Sequence, residues 1–326
     1  MRLAILNDKV IGKKLEMPIF SSEGTTILSK GAVLTEKIIA RLRQMGVGTV
    51  YINDENYEEV MIQEILDTSF QLKTIKILKQ LFEQVKKKKD LDPYTVKEIV
   101  TGVLDNMAVS ENSIIYFNNI GSNEMDICNH SLNVTILSTL LGISRGYNYS
   151  QISDLGVGAL LHDIGKLIVD DKFHPEEGFK FLREYRELSA TSYICAYSHH
   201  ENVDGTGYPR KIKGDHIYDY AKIVSLCNEY DLLHSSGSLL PHEVLEKISA
   251  EVGKKFDVDF YNDFIKVIYC YPNGLTVRLS SGHEGVVVMQ NKSFPQRPVV
   301  KVNDAGSTNY INLMEKLNLF IEAVTI

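Results

Sequence analysis

Five of the nine histidines, at positions 130, 162, 174, 199 and 200, fall within 71 residues of a segment that reads as helix almost throughout. This is the strongest constraint on what the chain can become. From Glu124 to about Ile265 the apolar pattern is helical, broken at SRGYNYS, DGTGYP and HSSGSLLP, where Gly, Asn, Ser and Pro stop helices. The histidines sit among acidic residues at helix-compatible offsets. Asp126 and His130 are i and i+4 and share a helix face. His162 and Asp163 are adjacent, with Lys166 one turn on. His199 and His200 are adjacent at an apparent helix end, directly before the turn DGTGYP.

The flanking regions have a different character. In residues 1–54, TTILSKGAVL carries strand formers around a Lys-Gly turn, Thr35 is a candidate cap for a helix over EKIIARLRQM that stops at Gly46, and VGTVYI reads as a strand. Residues 55–110 read as a helical connector. Met61, Ile65, Leu72, Ile75, Phe82 and Val85 draw an apolar stripe along one helix over 55–89, suited to the chain's own core or to a second copy in a homodimer. Lys86–Lys89 suit the C-terminal end of a helix dipole. Pro93 restarts a helix. After Tyr271, GLTVRL, GVVVMQ and PVVKV are short β-rich runs, so residues 269–326 read as a small β-rich appendage. The expected architecture is mainly α: a helical bundle over 111–268 with a small N-terminal α/β unit and a small C-terminal β-rich appendage.

Composition narrows the function classes. A net charge of −7 argues against binding a nucleic-acid polymer through a basic surface. No apolar run reaches the roughly 18–20 residues of a membrane helix, MRLAILNDKV is no signal peptide, and the four cysteines form no CxxC pair. A cytoplasmic protein is expected. Imidazole and carboxylate ligands without thiolate suit Fe, Mn, Zn or a similar first-row metal. More than four such ligands exceed one tetrahedral site and point to two metals bridged by a carboxylate, a pair that acidifies water and clamps a phosphoryl oxygen. Lys166 is placed to offset charge developing on a phosphate.

HDIGK (162–166) followed by HHENVDGTGYP (199–209) resembles the HD-GYP family, a branch of the HD phosphohydrolase superfamily. The resemblance covers roughly 124–268. It runs from HSLNV through LLHDIGK, HPEEG and HHENVDGTGYP to KKFDVDF. It implies a helical HD bundle holding two or three divalent metals, Fe or Mn foremost, and hydrolysis of cyclic di-GMP. Carried over by position, it implies Asp126, His130, His162, Asp163, His174, His199 and His200 as metal ligands, with Asp163 as the bridge. Asp163 and Lys166 are the implied catalytic pair. Lys166, Gly207, Tyr208, Arg210 and Lys213 are implied on the substrate side.

Three departures from the pattern stand out. Asn228 occupies a position in AKIVSLCNEYDLL where the family places a metal-binding Asp. LHSSGSLLP (233–241) lacks the basic residues that the family uses on ligand phosphates. The segment between HDIGK and HP is short, so His174 is assigned from its HPxxG pattern. The expectation is therefore a phosphodiesterase converting cyclic di-GMP to pGpG, and onward to GMP in an open site. Two alternatives stand beside it: a catalytically weak or inactive cyclic-dinucleotide sensor, and a phosphohydrolase for a different cyclic dinucleotide.

Overall fold

The computed structural model describes residues 1–21, 25–57, 60, 63–107, 113–114, 127–169, 171–235, 239, 241–291, 294, 296–304 and 307–325. The chain forms two compact units, and it passes between them more than once. One contains Met1–Ile65, Ala108–Glu124 and Ile268–Ile326; the other contains Leu66–Met107 and Met125–Val267.

The first unit is β-rich. Strand β1 (Arg2–Ile5) pairs antiparallel with β4 (Thr49–Ile52), and β2 (Ile19–Phe20) pairs with β3 (Thr26–Leu28). Helix α1 (Glu36–Gln44) lies between β3 and β4 in sequence. Thr35 caps it by accepting from the Ile38 N–H, and Gly46 ends it at φ +83°. Leu6, Leu15, Leu34, Ile39, Leu42 and Ile52 close a core around these elements. Short strands β5 (Gln63–Glu64) and β6 (Ser113–Ile114) pair in parallel. The terminal segment builds a five-stranded antiparallel sheet of β7 (Thr276–Leu279), β8 (Glu284–Met289), β9 (Val299–Asp304), β10 (Ser307–Asn312) and β11 (Ile321–Val324), in the order β10-β9-β8-β7-β11. Its core holds Leu275, Val277, Leu279, Val287, Val300 and Val302, and Leu3 packs against it. The Leu3 N–H also donates to the Gly274 carbonyl at 2.8 Å.

The second unit is helical. It contains α2 (Thr68–Lys88), α3 (Pro93–Asn106), α4 (Ile127–Ser144), α5 (Tyr149–Leu161), α6 (His174–Leu182), α7 (Ala190–Ser198), α8 (Asp219–Ser235), α9 (Pro241–Ala250) and α10 (Val258–Val267). Helix α4 is buried on all sides from His130 to Gly142. It therefore shows no amphipathic period. Its interior hydroxyls are partly satisfied within the helix, Thr135 and Thr139 donating back to the carbonyls of Ser131 and Thr135. Helix α5 starts at a reciprocal capping box between Asn148 and Gln151. Among the described residues no helix is long and apolar enough to cross a membrane.

Two sequence expectations are corrected. The helix expected over 55–89 begins only at Thr68: Asp67 caps it by accepting from the Phe70 N–H, while residues 63–64 form a strand. A favourable N-cap outweighs an apolar period that runs on upstream. The buried stripe is then Gln71, Thr74, Leu78, Leu81, Phe82 and Val85, packed towards α4 inside its own unit. Met61 lies outside the described residues. The four consecutive pieces expected from the sequence also differ from the observed division. The terminal β segment joins the N-terminal region in one unit, and most of the connector belongs to the helical unit. Local patterns carry no information on such long-range pairing.

Candidate metal centre

Chain turns at helix ends bring the site together. His130 projects from the buried first third of α4. His162 ends α5, and Asp163 follows it with φ −101° and ψ 10°, leading into a tight 3₁₀ turn over Ile164–Leu167 that carries Lys166. His174 opens α6, with Pro175 just inside the helix start, where its missing N–H is harmless. His199 ends α7 and His200 follows. Gly165 lets these pieces meet: a Cβ there would stand 2.0 Å from the His174 carbonyl oxygen.

The result is two imidazole clusters sharing one carboxylate. Asp163, His174, His199 and His200 form one; His130, His162 and Asp163 form the other. Asp163 Oδ1 faces His174 Nε2 at 3.2 Å and His199 Nε2 at 3.4 Å. Its Oδ2 faces His130 Nε2 at 3.6 Å and His162 Nε2 at 3.5 Å, and accepts from Lys166 Nζ at 2.8 Å. His174 Nε2 lies 3.3 Å from His199 Nε2 and 3.2 Å from His200 Nε2. His130 and His162 meet Nε2 to Nε2 at 3.2 Å.

The far side of three rings fixes which nitrogen carries the proton. His162 Nδ1 donates to the Ala159 carbonyl at 2.8 Å, and His199 Nδ1 to the Cys195 carbonyl at 2.9 Å. His130 Nδ1 donates to the Asp231 carboxylate at 2.7 Å. Each Nε2 then presents a lone pair to the centre, the arrangement that orients metal-bound histidines. Lone pairs confront one another and a carboxylate oxygen, and Asp163 Oδ1 is buried without a well-formed hydrogen bond. Such a concentration of acceptors calls for cations, so the residues fit divalent metal.

Electrostatics points the same way. Burial lowers His162 to about 3 against the pull of Asp163, and lowers His199 and His200 too, with neighbouring imidazoles adding to the effect. Burial works to raise Asp163, but the facing imidazoles of His162, His174 and His199 outweigh it and hold the carboxyl well below the usual range. His162, His199 and His200 are therefore neutral beside an ionised Asp163 at neutral pH, the ligand state a metal needs.

The GTGYP turn is tied to this centre. Buried Glu201 accepts from the backbone N–H groups of Arg210 at 2.7 Å and Ile212 at 3.2 Å. Gly207 is also buried, and a Cβ there would lie 2.3 Å from Asn202 N and 2.4 Å from the His200 carbonyl oxygen. The Tyr208 N–H donates to that carbonyl, and its ring stacks on His200 with centroids 4.7 Å apart and planes 13° apart. Arg210 turns its guanidinium to Ser198 Oγ at 2.8 Å and over the Tyr197 ring at 4.7 Å. Lys213 is exposed, its stem beside Gly205. Asp126 lies outside the described residues, as does most of the stretch after α8. Asn228 is buried on α8, one turn before Asp231.

Sequence reasoning missed Asp231. Its carboxylate accepts from His130, from Asn133 Nδ2 at 2.9 Å and from Ser235 Oγ at 3.2 Å. It also missed Glu201. The signal for both was an acidic residue beside a metal-ligand motif: NEYDLL for Asp231 and HHEN for Glu201.

Residues 127–233 match the HD domain family, and residues 276–325 match the KOW domain associated with HD domain. The cyclic di-GMP phosphodiesterase PA4108 of Pseudomonas aeruginosa is 31% identical over 194 residues, 53% of this chain and 47% of that protein. Cyclic di-GMP phosphodiesterase PdeB of Borreliella burgdorferi is 25% identical over 223 residues, 60% of this chain and 59% of that protein. 3'3'-cGAMP-specific phosphodiesterase 2 of Vibrio cholerae is 24% identical over 173 residues, 44% of this chain and 33% of that protein. The chain thus spans between a third and three fifths of these curated relatives. With its paired HDIGK and HHENVDGTGYP motifs inside a segment that matches the HD domain family, the chain is similar to the HD-GYP family.

Proposed function

We propose that this chain is a metal-dependent phosphodiesterase that hydrolyses cyclic di-GMP to pGpG, and further to GMP where the site admits the linear product. One observation carries the reading: the two oxygens of Asp163 face separate sets of imidazole Nε2 atoms, so one carboxylate would serve two cation positions. His130, His162, His174, His199 and His200 would hold two divalent ions with it, Fe or Mn by ligand type, and Asp126 and Asn228 are proposed as further contributors. Bound there, such ions supply an acidified water as nucleophile and positive charge for phosphoryl oxygens.

The protein's own groups do the rest. Asp231, Ala159 and Cys195 hold the protons of three rings on the outer nitrogens and keep the inner ones available. The half-exposed Lys166 side chain stands on Asp163 at the edge of the centre, where it can reach a phosphate oxygen as charge develops. Tyr208 covers His200 and limits water on that side. Arg210 and Lys213 are proposed to add positive charge near a dianionic ligand, Arg210 by leaving Ser198.

A second reading, a sensor that binds a cyclic dinucleotide without turning it over, is favoured by Asn228, neutral where the family pattern has a carboxylate, and by the guanidinium of Arg210 being held on Ser198 and Tyr197. The test is anaerobic purification, a count of bound Fe and Mn, and chromatography of cyclic di-GMP and 3'3'-cGAMP digests. Two bound metals and a linear product from cyclic di-GMP, both lost in His162→Ala and Asp163→Ala, support the enzyme. Tight binding without product in excess Mn²⁺ supports the sensor. Turnover of 3'3'-cGAMP alone moves the substrate, and activity retained in either variant refutes the site.

A further inference from the structure

The two clusters are unequal. Asp163 is their only carboxylate, counted over the described residues, and it stands against three imidazoles in one cluster and two in the other. Its oxygens differ as well. Oδ1 meets ring nitrogens and lacks a well-formed hydrogen bond. Oδ2 accepts from the ammonium of Lys166 at 2.8 Å, on the oxygen that faces His130 and His162. A cation of the protein's own thus stands at the corner of the smaller cluster.

We infer that the centre loads divalent metal in order, the Asp163/His174/His199/His200 cluster first and the His130/His162/Asp163 cluster second, because metal in the second must displace Lys166 from Asp163 Oδ2. This rests on the metal-dependent reading above. Three effects weaken the second step. Among the described imidazoles and carboxylates it offers three ligands against four. Its carboxylate oxygen is already neutralised by an ammonium, which also repels an incoming dication. The first ion draws charge from the same carboxylate. The Lys166 side chain is 31% exposed, so it has a way out towards solvent. Filling the second cluster and freeing Lys166 are then one event, and the ammonium becomes available to a substrate phosphate only in fully loaded protein. Scarce metal leaves the chain half-loaded with its lysine still docked.

The experiment is a Mn²⁺ titration of the metal-stripped full chain, followed by equilibrium dialysis and by electron paramagnetic resonance, which separates lone from spin-coupled Mn²⁺. The wild type should bind in two steps, with the spin-coupled signal rising only in the second. Lys166→Met should strengthen the second step about tenfold, about 1.4 kcal/mol, and leave the first unmoved. Lys166→Arg, which keeps the charge, should hold the wild-type gap, and circular dichroism checks that both variants are folded. His200→Ala should weaken the first step. Two equal steps in the wild type, or a second step unmoved by Lys166→Met, overturn this inference and leave the proposed function standing. Absence of Mn²⁺ binding in folded wild-type protein overturns both.

Discussion

Replacing Asp231 with alanine isolates the outer support of the centre without removing a ring. The carboxylate is buried and accepts from His130 Nδ1–H, Asn133 and Ser235. Ser235 can turn its hydroxyl elsewhere, but the other two donors are left unsatisfied in a closed interior. At about 1–3 kcal/mol for each unmade bond, and with water filling part of the gap, the loss is about 2–4 kcal/mol. For a unit of this size that lowers the melting temperature by roughly 5–15 °C. The effect on metal is more selective. Without an acceptor at Nδ1 the His130 ring can place its proton on Nε2 and turn a donor towards the centre. Loss of such outer support weakens metal affinity about 10–100-fold. Only the cluster containing His130 should suffer, because Asp231 touches none of His174, His199 and His200. Asp231→Asn keeps an acceptor oxygen for His130 and should lose less than about tenfold. Metal titration with thermal melts of both variants makes the check. Equal weakening of both clusters, or unchanged affinity in Asp231→Ala, would refute the tautomer argument.

Removing metal with a chelator should lower the melting temperature, since an ion held at 100 times its dissociation constant adds about 2.7 kcal/mol to folding; metal stripped with no shift would mean that the site is equally stable empty. Metal-free protein should lose stability on acidification, because burial places the folded His162 value at about 3, below its unfolded value of 6.5. The unfolded chain then binds the extra proton first, so the stability present above pH 6.5 falls away towards pH 3, by about 2 kcal/mol at pH 5 from this residue alone, and a flat melting curve between pH 7 and 5 contradicts it. Gly207→Ala should weaken binding at the four-ligand cluster and cost about 1–3 kcal/mol, as its methyl group drives the turn away from the His200 carbonyl; a variant that melts and binds metal like the wild type would show that the turn has room to move.

The gathering of the candidate ligands was legible because they come in short, rigid pairs. His162 with Asp163, and His199 with His200, sit at helix ends where one residue's placement fixes the next. Asp231 was not legible: its partner lies 101 positions away, and Asn228 one turn earlier drew the reading instead. Lys166 was read at the right place but on the wrong element, since a 3₁₀ turn rather than an α-helix brings it to Asp163. The start of α2 could have been read from Asp67, a good cap three residues before Phe70, yet the apolar period continues upstream and hid it. In the terminal sheet β7, β8 and β9 were legible as short β-rich runs between turn residues, while β10 and β11 were not read. Their membership in a unit with the first 65 residues did not, because hydrogen bonds such as Leu3 N–H to the Gly274 carbonyl leave no local trace.

That shared unit has a bearing on biosynthesis. The ribosome finishes every helix from α2 to α10 while the terminal sheet is still unmade. Leu3 and its strand must therefore wait through most of translation for their last neighbours, and a premature stop after α10 would release a finished helical unit whose β-rich companion is half built.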